Sequence, residues 1–541
     1  MKVSGPVLRG VAAAALAGCF AWLSLQSSFR ESATFDESFN IASGWTFLRT
    51  GRWTPSQPGP PLLLEWLAAP LPAADKFKPF DEALYRAGPR TYGFNFVYSN
   101  TIAPDSLLAR SRAANILLGV LLALLAGFWA FRLGGTAAGL SALALFAFMP
   151  PLLAHSHFAT GDIGNALLCT AALYLLWRGS RAPGGKAAAA AGLVFGLALA
   201  GKYTAGVLAP LYIFYLYAWG GTRLKWYAFW GGGAALGLWL GCFPVSPLEW
   251  LRTGLAVSRE LASGHTTYLL GSVSAKGTWY YFPLALLIKT PLPSLLLGLA
   301  GFYGFNPRGS EADRARFLYL IIPGAAWLLL GVASNTQVGI RHILPVYPLL
   351  CVWSGLAAAA LWGTGRLLSR AAVCSLYAWQ AAGALLAFPG YVSYFNEAAG
   401  GARGGHRYLL DSNLDWGQGL KELGAYVAKD RAGHIYLSYF GCADPHAYGI
   451  KYAPVLMTAC ASLPGDGLPP EGQEKKLLAV SVTNRLGVYY TPRTLFSWLD
   501  SREPVSVIGD SIWVYDVTGD REALKLLSYP GLATGSLPGR N

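Results

Sequence analysis

Charge is what this 541-residue chain has least of: only 13% of its residues are Asp, Glu, Lys or Arg, against 54% hydrophobic. With a mean hydropathy of +0.38, that scarcity excludes an ordinary soluble globule. Several apolar runs approach the roughly 20 residues that a spanning helix needs, so the chain reads as a polytopic α-helical membrane protein. Acids are scarcer than bases, 28 against 42, for a net charge of +14. The bases fall in short clusters between apolar runs, as the positive-inside bias produces, and nucleic acid is an unnecessary partner. The seven cysteines lack metal-ligand spacing. No internal repeat is visible.

Taken in order, Val7 to Ser28 forms the first span, with Lys2 and Arg9 placing the N-terminus in the cytoplasm. Leu16-Ala-Gly-Cys19 resembles a lipoprotein cleavage box, but the apolar run continues past it, favouring an uncleaved helix. A first outer loop covers 29–108. In it Phe39 to Leu48 and Leu62 to Leu71 read as short interfacial helices anchored by Trp45, Trp53 and Trp66. Further spans are expected near 112–131, 136–153, 163–177, 187–200, 204–219, 226–243, 283–302, 317–333, 343–362 and 371–390. Arg132, Arg178, Arg181, Lys186, Arg223, Lys225, Arg308, Arg314, Arg316, Arg366 and Arg370 then all lie on the cytoplasmic side. This makes about eleven spans in a membrane domain of residues 1–390 and leaves 391–541 outside the cell's inner membrane. Strand-like runs at His434–Phe440, Leu477–Thr483 and Val505–Val517, with helical runs at Trp416–Lys429 and Arg493–Asp500, predict a soluble α/β domain there. Cys442 and Cys460 either pair in an oxidising compartment or stay as two buried thiols.

Polar residues return to one side of the expected membrane. Thr34-Phe-Asp-Glu-Ser-Phe-Asn40 brings Asp36 and Glu37 to the end of the first span. Gln57-Pro-Gly-Pro-Pro-Leu-Leu-Leu-Glu-Trp66 adds Glu65, and Ala154-His-Ser-His-Phe-Ala-Thr-Gly-Asp162 adds His155, His157 and Asp162. Lys202, Lys289 and Arg341-His342 follow, Lys289 inside an apolar run where an ionisable group is costly. A lone cation near a span end is often only snorkelling; several converging with carboxylates suit a group transfer. In such a transfer an acid takes a proton from an attacking hydroxyl, and cations stabilise a departing phosphate. In Asp411-Ser-Asn-Leu-Asp-Trp-Gly-Gln418, Asn413 or Asp415 reads as the cap of a helix starting at Trp416.

In this order the pieces resemble the GT-C glycosyltransferases, specifically glycosyltransferase family 39, which includes protein O-mannosyltransferases and transferases that add aminoarabinose to lipid A. The resemblance extends to Tyr394-Phe-Asn-Glu-Ala-Ala-Gly-Gly401 and to the 411–418 stretch. It implies a polyprenyl-phosphate sugar donor, no nucleotide sugar, and inverting transfer to a lipid, glycan or protein acceptor. Asp36 would be the catalytic base and Asp162 its second carboxylate. Glu37, Lys202, Lys289, Arg341 and His342 would bind substrate. Some relatives hold a divalent metal, for which Glu65, His155 and His157 are the candidates. Two departures stand out: Gly59 precedes Pro60-Pro61 where the mannosyltransferases have His, and no segment is long enough for their inserted β domain. The competing classes are a transporter or lipid flippase, with charges near the midplane on broken helices of repeated halves, and a surface-polysaccharide polymerase or ligase.

Overall fold

The computed structural model describes residues 5–53, 59–78, 80–220, 224–303, 305–306, 308–460, 463–470 and 472–529. The expected bend at Gln57 and the basic residue Arg223 lie outside them. A multi-pass helical bundle carries a mixed α/β layer on one face. The first helix, Gly5–Arg30, is followed by the short helices Glu37–Thr50, Pro61–Ala68, Glu82–Ala87 and Pro89–Tyr98.

Pro104–Ala147 is continuous in hydrogen bonding but not in direction. Gly135 takes φ 78° and ψ −170°, a conformation that costs a residue without Cβ little. A Cβ on Gly127 would lie 3.2 Å from that of Leu143 and 3.3 Å from the carbonyl oxygen of Gly139. Along a straight helix those residues would be roughly 18–24 Å away, so the chain turns back on itself and packs as a hairpin. Three further helix pairs break sharply: Pro150–His157 against Asp162–Arg181 by 117°, Leu224–Cys242 against Pro247–Ala262 by 82°, and Tyr281–Lys289 against Leu292–Ala300 by 106°. The second helix of the latter two pairs opens with a proline at its first or second position, where the missing N–H costs nothing. By length and composition, the described residues hold four helices able to cross a membrane, or seven if each bent pair is one span. Eleven were expected. The Gly135 reversal hides two runs in one helix, and Gly185–Gly201 and Tyr203–Tyr217 are short for a span.

Beyond residue 419, helix Leu420–Asp430 packs on a five-stranded sheet: β1 (His434–Ser438), β2 (Lys451–Pro454), β3 (Leu477–Ser481), β4 (Ser506–Ile508) and β5 (Ile512–Asp516), in the order β2-β1-β3-β5-β4. β1 runs parallel to β2 and β3, pairing His434 with Lys451 and Tyr436 with Leu478; β5 is antiparallel to β3 and β4. β2 was not expected, and the run read as one strand over Val505–Val517 is a hairpin turned at Gly509-Asp510, both with positive φ. Cys442 and Cys460 are disulfide-bonded.

The cores do not divide at residue 390. One apolar cluster runs from Phe20 and Phe146 to Leu414, Trp416 and Val482. A second joins Ile41, Trp45 and Phe96 to Leu423, Ile435 and Val514. Helix Glu37–Thr50 is accordingly buried from Glu37 to Phe47. It forms the floor of the α/β layer and does not lie on a lipid surface.

Candidate active site

The segment after the first helix is zipped to the loop before the sheet. Ser32 N–H donates to Gln418 O (3.0 Å) and Phe35 N–H to Trp416 O (2.8 Å). This delivers Asp36 to the N-terminus of helix Glu37–Thr50, where it makes no side-chain cap. Its carboxylate accepts from Arg341 Nη1 in a half-buried ion pair. Arg341 stands in a one-turn 3₁₀ segment, Ile340–Ile343, with its guanidinium 4.6 Å from the Trp416 ring centre; its Nε has no partner.

A second pair lies alongside. Asp162 begins the helix after the 117° break and is bonded to Lys202, the residue that ends Gly185–Gly201. Arg341 is within electrostatic reach of both Asp36 and Asp162. His155 and His342 are buried close by, in the field of Asp162 and Arg341. His155 Nδ1 and His342 Nε2 have no hydrogen-bond partner. Asp36, Asp162, Lys202, Arg341, His155 and His342 therefore converge from five separate stretches of the chain.

The other expected site residues face elsewhere. Glu37, read as substrate-binding, is fully buried. Its Oε1 accepts from Arg112 Nε and from Ala159 N–H, both 2.8 Å, and its Oε2 from Arg112 Nη2 and Thr34 N–H, both 2.8 Å. No lone pair is left for a substrate. Lys289 gives protons to the carbonyls of Val392 (2.7 Å) and Asn413 (2.5 Å) and lies 4.2 Å from the Phe395 ring centre, so it ties the bundle to the α/β layer. Of the metal candidates, His157 is bound through Nε2 to Glu31 (2.5 Å) and through Nδ1 to Leu153 O (2.9 Å). Glu65 sits apart near Cys242, its Oε1 unpartnered and its carboxyl pushed up to about 7 by burial. Among the described residues no three His, Cys, Asp or Glu side chains converge as a metal would require, so Glu65, His155 and His157 do not fit as a ligand set. Asp415 is not a helix cap either: the helix starts at Leu420, and the buried Asp415 accepts from Thr483 N–H (3.1 Å).

Three contributors escaped sequence reading. Arg112 is one, unremarkable at the start of an apolar run. Trp416 is another, a platform beside both His155 (ring centres 5.9 Å apart) and Arg341. The third is Asp411, which takes a positive φ of 55°, uncommon for a residue with a side chain. It accepts from Tyr489 Oη and adds to the field at Arg341. Burial holds its carboxyl above the usual range. The cluster of polar residues in 411–418 was the available signal for the last two.

Over its whole length the architecture is similar to a solved structure, ArnT from Cupriavidus metallidurans in the apo state. The match has 14% identity and a TM-score of 0.50, covering 95% of this chain and 98% of that one. The fold is that of the GT-C glycosyltransferases. ArnT from the same organism bound to undecaprenyl phosphate matches at 13% identity and TM-score 0.48, over 94% of this chain and 98% of that one. The Archaeoglobus fulgidus oligosaccharyltransferase in the apo form matches at 15% and 0.41, over 69% and 54%. Residues 102–247 match the family model described as dolichyl-phosphate-mannose-protein mannosyltransferase, about a quarter of the chain and the part that holds Asp162 and Lys202. No curated protein matches.

Proposed function

We propose that this GT-C protein transfers a sugar from a polyprenyl phosphate to an acceptor hydroxyl. The observation that carries the reading is the juxtaposition of two carboxylate–cation pairs, Asp36–Arg341 and Asp162–Lys202, delivered by four distant segments to the helix ends beneath the α/β layer. Asp36 takes the proton of the acceptor hydroxyl. The oxygen attacks the anomeric carbon, and the carbon–oxygen bond to the phosphate breaks on the opposite face, inverting the centre. Arg341 and Lys202 stabilise the charge that develops on the leaving phosphate. Arg341 is paired with Asp36. An incoming phosphate competes for the same guanidinium and frees the carboxylate as a base only once the donor is in place.

The donor's tail has a path. A cavity of about 550 Å³ opens between helices and is lined by Leu287, Leu292, Leu296, Ile321, Leu328 and Val346, flanking the 106° break. The matched family model, described as dolichyl-phosphate-mannose-protein mannosyltransferase, supports a lipid-phosphate donor. The disulfide and the basic clusters support an α/β domain outside the cytoplasmic membrane. No step is assigned to a metal ion.

Purified protein in vesicles, offered radiolabelled polyprenyl-phosphate sugars and an envelope-lipid and glycan acceptor mixture, should move label to an acceptor, and Asp36→Asn should slow it by about 10² to 10⁴. Label that crosses the bilayer still attached to its polyprenyl phosphate would overturn this reading in favour of a flippase.

A further inference from the structure

A second cavity, of about 820 Å³, is distinct from the one just described. It lies where the first helix ends, under the α/β layer, lined by Arg30, Glu31 and Gln418 and not by Asp36. Its floor is apolar and continuous with the lipid-facing surface: Phe29, Leu386 and Phe388 line it, and Leu386 is 87% exposed. Its roof comes from helix Leu420–Asp430 and the β4–β5 turn.

Six charged side chains line this space. Glu31 is taken by His157, Glu397 accepts from Trp379 Nε1 (2.8 Å), and Lys421 donates to Asp105 (2.8 Å) and to Phe29 O (3.1 Å). Three remain. Arg30, the last residue of the first helix, lies over the Phe388 ring at 4.6 Å and has no carboxylate partner among the described residues. Glu422 and Asp510, on the roof, have no ion-pair partner among the described residues either; Glu422 is near the Gly509 backbone and Asp510 feels Arg403 only at longer range. Partial burial pushes the Asp510 carboxyl above its usual range. Glu422 is exposed and Asp510 half-buried; two carboxylates on one wall of a cavity, neither with a counter-ion, offer a cation a place to bind.

We propose that this cavity binds an amine-bearing phospholipid, with its phosphate on Arg30 and its ammonium between Glu422 and Asp510. The order of charges matches such a lipid: apolar floor at the membrane, cation at the helix end, carboxylates farthest out. An anionic headgroup would meet two carboxylates with nothing to offer them. A quaternary ammonium has no N–H to donate, and the Phe388 face that could hold it is covered by Arg30. The assignment is independent of the transfer reaction and is read by binding alone.

The test uses the full-length protein in detergent micelles carrying equal amounts of phosphatidylethanolamine, phosphatidylcholine and phosphatidylglycerol with identical chains. Retained lipids are counted by native mass spectrometry. Phosphatidylethanolamine should be held about tenfold better than the other two, the worth of one charge-assisted hydrogen bond. The double variant Glu422→Gln/Asp510→Asn should lose that preference, and Arg30→Ala should weaken retention of phosphatidylethanolamine and phosphatidylcholine together. Tail-free glycerophosphoethanolamine should not displace the lipid. Equal retention of the three lipids by the unaltered protein, a preference that survives the double variant, or displacement by the tail-free headgroup would each overturn the proposal.

Discussion

Asp36 and Glu37 are neighbours in sequence with opposite fates, and replacing each by its amide separates them. In Glu37→Gln the side chain keeps its shape but turns one acceptor oxygen into a donor facing donors. All five N–H groups of Arg112 are committed: two to Glu37, two from Nη1 to the carbonyls of Ser28 (2.5 Å) and Glu31 (2.9 Å), and one from Nη2 to Ser32 O (2.8 Å). Both partners are about 99–100% buried, so the variant leaves a guanidinium without its counter-ion. Breaking one side of a buried pair costs about 3–5 kcal/mol. The same carboxylate anchors Ala159 N–H in the loop leading to Asp162, so the loss spreads to the second pair. In Asp36→Asn the half-buried ion pair weakens without leaving a fully buried charge unpaired, and the cost falls on the chemistry: a turnover loss of about 10² to 10⁴ with near-normal melting. The assay is a thermal melt in detergent beside the label-transfer measurement. Glu37→Gln should melt at markedly lower temperature and insert poorly. A Glu37→Gln protein that melts like the unaltered chain yet transfers no sugar would refute this division of labour and restore Glu37 to the substrate.

Reducing the disulfide, or Cys442→Ser with Cys460→Ser, opens a link across 18 residues and should cost roughly 3 kcal/mol, read as a lower melting temperature that reductant no longer changes. Lys289→Ala should loosen the joint between bundle and α/β layer, raising protease cleavage near 391–413 without a specific loss of donor affinity; a selective donor-binding defect would show that the ammonium reaches the phosphate after all. Asp415 supplies a pH signature: burial raises its folded pKa to about 7 from about 4 when unfolded, so the folded state holds a proton the unfolded chain releases. Its contribution to stability is full below about pH 4 and declines as pH rises to about 7. Asp415→Asn should flatten that slope in a melt series; an unchanged slope would place the titration elsewhere.

The class of the molecule and the side on which its polar residues gather were legible because both depend on composition and order. The pair at 112–131 and 136–153 was legible through the interruption at Arg132-Leu-Gly-Gly135, and the structure turns at that glycine. Asp162, Lys202 and Arg341 were legible because each sits where an apolar run stops. Whether Asp36 or Glu37 faces the site was not, since Arg112, 75 residues away, decides it. Lys289 misled for the same reason: a cation in an apolar run announces a partner, and the partner is a pair of backbone carbonyls, which carry no side-chain signal. β2 was hidden by its four-residue length and terminal Pro454, and the Asp415 cap failed because the chain at 416–419 is spent on hydrogen bonds to the first loop.

The core shared between Ile41–Leu107 and Leu423–Val514 sets a schedule for biogenesis. The loop after the first helix leaves the ribosome more than 300 residues before the strands that will cover it. At about 5–20 residues per second that is a wait of roughly 15–60 s, during which Ile41, Trp45 and Phe96 have no roof. Until the last sheet strand is made, this floor must lean on the bilayer or on a chaperone, and Asp36 cannot take up its station. A polar cluster closed by the final quarter of the chain is assembled only when synthesis is nearly complete.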